Sequence, residues 1–388
     1  MAPSFAAFPV SEHRERLARA RKALKSAGFD FCISVAPEHL YYFGGYDSWV
    51  SVNSPQALLF SVDKGEPAIV LRNVDLSLVR ESSWIDNIHT YHMLLEDPVA
   101  LIARVAKRMG LKSGSRVAIE MQTYALPYSL GAALAAALAP AKLEDATYLL
   151  GDLRVIKSPR EMDYMRQAAK YSTAGLAALR GAMKRGVTEI GLAAALGHGL
   201  RAAGSDYWAI TTELSAGPRS AGGHAAPRPR VVGEGEIVHA EFSGVAARYH
   251  AASLHTMALG EPGKRARDIY RLGIESLKAG IKAVKVGAPV AAVEEASLKP
   301  LRREGLEKTA MMRFGYGIGI AYPPIWLETL QIARGIKRRL EPNMVFVLHS
   351  CLELPNENFG VIQGGTYAMS KNGIEMLAGS GAIDLEVY

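Results

Sequence analysis

Apolar residues recur at helical spacing near the start of the chain, at Leu17, Ala20, Leu24 and Ala27. This spacing predicts a helix that Ser11 caps and Gly28 ends. Short apolar runs predict strands at 31–36, 57–62, 68–72 and 117–121, and helical patterns cover 98–109 and 126–138. The alternation predicts an α/β layered domain over residues 1–155.

A long helical pattern opens the second half of the chain. Ser158 is an N-cap residue type and Pro159 suits a first helical position, so the pattern predicts a helix that continues to about Met183. Further helices are predicted at 188–203, 264–285 and 290–305, and glycine-punctuated strands at 237–242, 253–259, 344–348 and 365–370. This succession of helices and glycine-punctuated strands predicts an α+β domain with an antiparallel sheet over residues 156–388.

Composition narrows the class of protein. Of the 388 residues, 49% are hydrophobic and 21% charged, as in ordinary globular proteins. Two cysteines exclude a disulfide framework, and no apolar run reaches the ~20 residues of a membrane span. The net charge is +7, and the basic residues lie in a few short clusters. The sequence contains no nucleic-acid-binding motif. We therefore expect a cytoplasmic protein that binds neither nucleic acid nor membrane.

A glycine-rich loop at 215–224 ends in a histidine, His224. Imidazole has an ordinary pKa of about 6.5, which suits a general base near neutral pH. His224 is therefore either a catalytic base beside a flexible loop or a solvated residue on a surface turn.

The segment 238–250 predicts a hairpin that turns at Gly244. His239 and Glu241 are two residues apart, so they share one face of the first strand. A carboxylate in an apolar strand is costly unless it is paired or functional. Glu241 therefore either forms an ion pair with Arg248 or takes part in the chemistry.

Two later strands carry further candidates. Glycines at 315, 317 and 319 leave one face of a strand without side chains, which makes Tyr316, between them, a candidate site residue. His349 is a second candidate, because it ends an apolar run. The chain has neither the Gly-x-Ser-x-Gly motif of serine hydrolases nor the His-Glu-x-x-His motif of zinc peptidases.

The order and spacing of these segments resemble the pita-bread family, which includes methionine aminopeptidase, Xaa-Pro peptidase and creatinase. The resemblance covers about residues 11–388 and implies a creatinase-type N-terminal α/β domain followed by a pita-bread catalytic domain. The five metal ligands of the metal-dependent branch fall here on Glu241, Ala252, Tyr316, His349 and Gly364. One carboxylate cannot supply a dinuclear site, so the resemblance implies a metal-free enzyme without a cofactor, like creatinase.

Within the metal-free branch, four motifs are similar to those of the ectoine hydrolases. They are Gly45-Tyr-Asp-Ser-Trp49, Arg248-Tyr-His250, Gly315-Tyr-Gly-Ile-Gly319 and Tyr322-Pro-Pro-Ile-Trp326, with Glu328 nearby. The chain departs from that group at His255, Ile325, Leu327, Ile362 and Gly365. Several of these departures remove an acidic side chain, which is expected to change the cation, amidine or amine that is held.

The resemblance also implies roles for individual residues. Glu241 is the nucleophile, or the base for water, in hydrolysis of a C–N bond of a cyclic amidine or non-peptide amide, and His224 is its proton shuttle. Residues that orient or enclose the small-molecule substrate are Tyr316, Tyr249, His349, Tyr322 and Trp326. Arg248 or Arg219 is available to hold a substrate carboxylate.

Creatinase-like members are dimers whose N-terminal domain contributes to the partner's site. The resemblance thus implies a homodimer in which Asp47 and Trp49 serve the neighbouring subunit. Three alternatives stay open: a creatinase-type amidinohydrolase, although the substrate-binding Glu of creatinase falls on Leu254; a metal-dependent Xaa-Pro peptidase; and a non-catalytic ligand-binding member of the fold.

Overall fold

The computed structural model describes residues 5–50, 54–379 and 384–388. The chain forms two compact units, Met1–Arg154 and Val155–Tyr388. Each unit has its own sheet and its own apolar core. Within the described residues, no helix is long and apolar enough to cross a membrane.

Helices and strands alternate through the first unit. In chain order they are α1 (Val10–Ser26), β1 (Phe31–Ser34), α2 (Pro37–Gly44), β2 (Ala57–Ser61), β3 (Ala68–Arg72), α3 (Leu76–Ser82), β4 (Ile88–Tyr91), α4 (Pro98–Arg108), β5 (Arg116–Ile119), α5 (Tyr128–Leu138), β6 (Lys142–Asp145) and α6 (Thr147–Gly151). The described strands form a mixed sheet in the order β4–β3–β2–β1–β5–β6. Apolar residues of α4 and α5 pack in its core, which confirms the predicted α/β domain.

The first helix begins earlier than the sequence pattern predicts. Helix α1 starts at Val10 after Pro9, whose carbonyl accepts the N–H groups of Glu12 and His13 at 3.0 and 3.4 Å. Ser11 therefore lies inside the first turn, and its prediction as the cap is wrong. Proline favours a helix start here because its fixed φ and missing N–H cost nothing at that position.

The second unit is a long antiparallel sheet with two pairs of helices. Its elements are α7 (Pro159–Ala182), α8 (Glu189–Ala202), β7 (Glu213–Ala216), β8 (Glu236–Ala246), β9 (Tyr249–Leu259), α9 (Lys264–Ala283), α10 (Val290–Arg303), β10 (Gly315–Tyr322), β11 (Ile325–Ile332), β12 (Val345–Leu354), β13 (Phe359–Ser370), β14 (Gly373–Gly379) and β15 (Glu386–Val387). The main strand order is β11–β10–β12–β13–β9–β8–β7, with β14 beside β13 and β15 beside β9. This arrangement confirms the predicted α+β domain.

A capping box starts α7 where the sequence predicts it. The Ser158 hydroxyl accepts the N–H of Glu161 at 3.2 Å, and the Glu161 carboxylate accepts the N–H of Ser158 at 2.7 Å. Pro159 occupies the first helical position. These reciprocal bonds satisfy two N–H groups that the helix itself leaves without partners.

The hairpin of β8 and β9 turns three residues later than predicted. Its turn residues are Ala247 and Arg248, both left-handed at φ 46° and 67°. Gly244 lies inside β8, where a Cβ would overlap the carbonyl oxygen of Ala168 and lie 2.6 Å from the N of Ser172. The glycine allows α7 to pack closely on the strand and does not form the turn.

Candidate active site

Strand alternation divides β7 and β8 into a helix-facing side and an open side. Leu214, Val238, Ala240 and Phe242 belong to the apolar core under α7 and α8. The intervening residues point away from that core, because side chains of a strand alternate between its faces. The open side therefore carries Glu213, Ser215, His239 and Glu241.

The register of five strands puts polar residues in one row on this open side. Glu213 on β7 pairs with Glu241 on β8, and Glu241 pairs with Leu254 on β9. Leu254 pairs with Gly364 on β13, which pairs with His349 on β12. Glu241 and His349, far apart in the chain, thus share one row with Glu213 at its end.

Glu241 is held by a chain of two hydrogen bonds. The Tyr316 hydroxyl donates to its Oε1 at 2.8 Å, and the Trp326 indole N–H donates to the Tyr316 oxygen at 3.1 Å. Burial raises the pKa of Glu241, and the bond from Tyr316 opposes that rise. Burial and the neighbouring Glu241 charge raise the pKa of Tyr316 well above its ordinary value, so the phenol remains a donor.

Glu213 is a site residue that the sequence did not reveal. It is 8% exposed, and its Oε2 has no hydrogen-bond partner among the described residues. Burial and the charge of Glu241 raise the pKa of Glu213. The two facing carboxyl groups therefore take up a proton at a pH where an isolated carboxyl group is ionised.

Strand β12 adds His349, Cys351 and Glu353 on alternate positions of one face. The His349 ring lies 5.9 Å from the ring of Tyr316, between centroids. Burial, and then the charges of Arg313 and His224, lowers the pKa of His349 to about 4, so this imidazole is neutral near pH 7. Its Nδ1 is buried without a partner in the part of the chain that the structure describes.

Cys351 is a buried thiol within the acidic part of the site. Its Sγ lies 3.5 Å from Oε1 of Glu353. Burial, followed by the charges of Glu353, Glu241 and Glu213, raises the pKa of the thiol well above its ordinary value. Because the thiolate is the reactive form of cysteine, Cys351 is poorly suited to be the nucleophile.

The glycine-rich loop brings His224 towards this part of the sheet. The loop follows a short 3₁₀ turn, Gly217–Ala221, and His224 itself is exposed. Gly223 packs against the Glu353 carboxylate, which occupies the place of a Cβ at that glycine. His224 acts electrostatically on His349 and is open to solvent, as a proton shuttle must be.

Other predicted residues make their contacts elsewhere. The Tyr249 hydroxyl donates to Glu161 at 2.7 Å, and its ring stacks on Tyr164 at 5.8 Å. Arg248 lies over the ring of Tyr207 at 3.6 Å and over that of Tyr322 at 5.6 Å.

Of the two alternatives for Glu241, an ion pair with Arg248 is not present among the described residues. The carboxylate that pairs with Arg248 is Asp206, at 3.8 Å. Arg219 binds Glu189 and the carbonyl of Ala226, so its charge is already engaged.

Two predicted residues lie in the first unit. Asp47 is exposed, and its backbone N–H donates to the Ser82 hydroxyl at 3.4 Å. Trp49 is 66% exposed, an unusual amount for the largest apolar side chain. Both residues are thus exposed on the first unit.

A creatinase-type α/β domain followed by a pita-bread sheet defines a class of hydrolases. The chain belongs to metallopeptidase family M24, whose family model matches residues 163–379, and the creatinase/prolidase N-terminal domain matches residues 16–156. It is therefore a member of a hydrolase and peptidase family.

Individual relatives cover nearly the whole chain. An uncharacterised hydrolase/peptidase of Sinorhizobium fredii, y4tM, is 29% identical over 95% of this chain and 96% of its own length. The ectoine hydrolase of Halomonas elongata is 28% identical over 96% of both chains. Among solved structures, dipeptidase PepE of Mycobacterium ulcerans has a TM-score of 0.84 at 23% identity, covering 98% of this chain and 99% of its own.

The side chains present do not fit the metal centre that the family name implies. Of the five positions that the resemblance implies, Ala252 and Gly364 have no side-chain donor atom, and one oxygen of Glu241 accepts a hydrogen bond from Tyr316. Across the described residues, no group of three or more His, Cys, Asp and Glu side chains is placed to hold a metal ion. A pair of divalent cations needs several oxygen ligands converging on it, and the described carboxyl groups of this site are not placed in that way.

Proposed function

We propose that this protein is a metal-independent hydrolase of a C–N bond in a small cyclic amidine or non-peptide amide. The observation that carries the proposal is the placement of Glu241, whose Oε1 accepts a hydrogen bond from the Tyr316 hydroxyl at 2.8 Å and which lies in one row with neutral His349. A buried carboxylate that a phenol holds, in one row with a neutral imidazole, is arranged for acid–base or nucleophilic chemistry. Its full-length relative from Halomonas elongata, by its name, hydrolyses ectoine.

Glu241 supports two routes. As a base, it removes a proton from water while the water oxygen adds to the substrate carbon. The C–N bond then breaks as His224 gives a proton to the leaving nitrogen, and the proton on Glu241 returns through solvent to His224. As a nucleophile, the oxygen of Glu241 adds to that carbon, and the C–N bond breaks as His224 gives a proton to the leaving nitrogen. Water then hydrolyses the covalent adduct and gives a proton to His224, which frees the Glu241 carboxylate.

The remaining site residues stabilise and enclose the reacting group. Tyr316 donates a hydrogen bond that favours the ionised form of Glu241, and Trp326 fixes the phenol. His349 is neutral and buried, so its free Nδ1 is suited to bind a polar substrate atom without adding charge.

We also propose a cytoplasmic homodimer in which Asp47 and Trp49 complete the partner's site. The exposed Trp49 and the two free, buried cysteines, Cys32 and Cys351, support this arrangement in a reducing compartment.

The test combines metal analysis with turnover. Purified protein is assayed on ectoine, creatine and an Xaa-Pro dipeptide, with and without a chelator, beside the variants Glu241→Gln and Glu341→Gln. We expect chelator-resistant hydrolysis of a cyclic amidine, at least a hundredfold lower kcat in Glu241→Gln, and no change in Glu341→Gln, since Glu341 is an exposed glutamate.

Two results would overturn the proposal. About two equivalents of a transition metal, with dipeptide hydrolysis that the chelator abolishes, would make the protein a metallopeptidase. Absence of turnover on every substrate, with unchanged ligand binding in Glu241→Gln, would favour the non-catalytic alternative.

A further inference from the structure

Three carboxyl groups of the open sheet face lie around the Cys351 thiol without a neutralising cation. Glu353, Glu241 and Glu213 all act on the pKa of that thiol. Among the described residues, none of the three carboxylates forms an ion pair. Glu241 accepts a hydrogen bond from Tyr316, and Glu353 accepts a weak one from the Cys351 thiol. Like charges this close destabilise one another unless a proton or a cation intervenes.

Glu213 is the group in this cluster whose burial lacks an explanation. It is more than nine-tenths buried, and its Oε2 finds no partner in the described parts of the chain. An unsatisfied buried polar atom costs about 1–3 kcal/mol, and more if it is charged. Such an atom at the edge of a candidate active site indicates a ligand that supplies the missing donor.

Cationic side chains of the second unit contact other groups. Arg219 pairs with Glu189, Lys157 pairs with Glu328 at 2.6 Å, and Arg313 donates to the side chain of Gln331. Among the described residues, none of these three forms an ion pair with Glu213 or Glu241, so this place is open to a cation from a ligand. A substrate carboxylate would be repelled at this end of the row, whereas a cation would be attracted.

Strand geometry favours a flat cation with two N–H donors. Side chains directly opposite on neighbouring antiparallel strands have Cβ atoms about 5 Å apart, so the Glu213 and Glu241 carboxyl groups flank a narrow gap. Tyr316 uses Oε1 of Glu241, which leaves Oε2 for a ligand. An amidinium or guanidinium group presents N–H donors in one plane and binds carboxylates in this bidentate manner.

We infer that Glu213 is a substrate-binding residue that, together with Glu241, holds the delocalised cation of an amidinium-type substrate. The inference rests on the proposed function and deepens it, because it selects a cationic amidine over a neutral amide. Glu213 takes no part in bond breaking; it positions the reacting carbon beside Glu241.

Proton release should accompany binding of the cation. In the free site the Glu213–Glu241 pair holds a proton, and a bound cation takes its place. The titratable groups near the pair are Tyr316, Cys351, Glu353 and His349, with His239 on the same face of β8, and Arg313 and His224 act on His349. Burial lowers the pKa of His239 to about 4, so this imidazole is also neutral near pH 7. Tyr316 and Cys351 stay protonated and His349 stays neutral near pH 7, so the carboxyl groups govern the change. Affinity for the cation is therefore expected to rise with pH until the pair is ionised.

The experiment measures binding of acetamidinium and of neutral acetamide to the full-length protein by calorimetry. Acetamidinium is expected to bind wild-type protein with proton release, seen as a dependence of the heat on the buffer's ionisation enthalpy, and acetamide to bind at least tenfold more weakly. Glu213→Gln should lose at least tenfold in acetamidinium affinity and keep its acetamide affinity. Glu341→Gln, an exposed change of the same charge, should match wild type.

A melting curve of Glu213→Gln separates loss of binding from loss of folding. Melting near the wild-type temperature is expected, because glutamine keeps the size of the side chain and the free pair already holds a proton that offsets the repulsion. Equal affinity of wild type and Glu213→Gln for acetamidinium, or equal affinity of wild type for both probes, would overturn the inference. If wild type binds acetamidinium as expected but hydrolyses no amidine, the role of Glu213 is supported and the proposed hydrolase function is wrong. If the protein hydrolyses an amidine and Glu213→Gln has an unchanged KM, the hydrolase function is supported and the role of Glu213 is wrong.

Discussion

At the scale of single residues, Tyr316 controls how readily Glu241 ionises. Burial pushes the pKa of Glu241 up, and the hydrogen bond from Tyr316 pulls it down because the bond favours the charged form. The proposed chemistry needs the ionised carboxylate. Tyr316 therefore widens the pH range in which the protein is active.

Removing that hydroxyl in Tyr316→Phe is expected to move the acidic limb of the kcat/KM profile to higher pH. A hydrogen bond to a charged group is worth about 1.5–3 kcal/mol, which corresponds to a shift of about 1–2 pH units. The measurement is kcat/KM from pH 5 to pH 9. Tyr270→Phe is the control, since this buried tyrosine on α9 contacts Asp384 instead. An unshifted acidic limb in Tyr316→Phe would exclude Glu241 as the group that titrates.

Residue types alone single out three members of the candidate site and do not reveal Glu213. Glu241, Tyr316 and His349 stand out because each interrupts an apolar or glycine-rich strand. Glu213 lies in a four-residue strand, Glu213–Ala216, too short for a recognisable alternation. Its role depends on pairing with Glu241 across β7 and β8, and strand register is a tertiary property that sequence spacing does not encode.

At the scale of elements, local rules predicted helix starts better than they predicted turns. The α7 capping box is visible in the sequence because its bonds join residues three positions apart. Helix α2 was missed because every residue of Pro37–Gly44 except Glu38 is buried, so the helix has no polar face to set a period. Gly244 suggested a turn because its contact with α7 lies more than 70 residues away in sequence.

The close contact of α7 with β8 makes Gly244→Ala a destabilising substitution. The new Cβ would overlap the carbonyl oxygen of Ala168. Backbone atoms cannot rotate out of the way as a side chain can, so the helix or the strand would have to move. We expect a loss of about 1–3 kcal/mol in the free energy of unfolding, measured by urea denaturation.

Gly181→Ala provides the matched control for this substitution. Gly181 lies near the end of α7, is exposed, and has open space around its Cα. Alanine there is expected to raise the free energy of unfolding by about 0.5 kcal/mol. Equal stability of the two variants would show that α7 shifts freely on the sheet.

At the scale of the whole molecule, the proposed dimer determines whether one chain contains a complete site. The second unit carries Glu241, Tyr316 and His349, while the exposed Asp47 and Trp49 belong to the first. The family resemblance implied a homodimer, and solvent exposure of Trp49 is consistent with contact to a second chain. Sequence alone predicted the two-domain order, but pairing between chains depends on surfaces that residue patterns do not reveal.

Mixing two defective variants tests that pairing. Trp49→Ala is expected to raise KM without changing stability, because an exposed side chain contributes within about 0.5 kcal/mol. Glu241→Gln is expected to lower kcat. If Trp49 serves the partner subunit, co-refolded mixtures contain dimers with one intact site and recover about a quarter of wild-type activity at low substrate concentration. No recovery, with mixed dimers verified by mass, would place Trp49 at its own subunit's site or outside any site.

The close approach of β12 and β13 at Gly364 constrains the evolution of this protein. A Cβ at Gly364 would overlap the Leu348 carbonyl oxygen and lie 2.7 Å from the Cα of His349. An acidic metal ligand therefore cannot arise there by one substitution, because the two strands would first have to separate along their ladder. A change to a metal-dependent activity through this position would therefore have to begin with a shift of the β12–β13 backbone, before any ligand side chain could be accommodated.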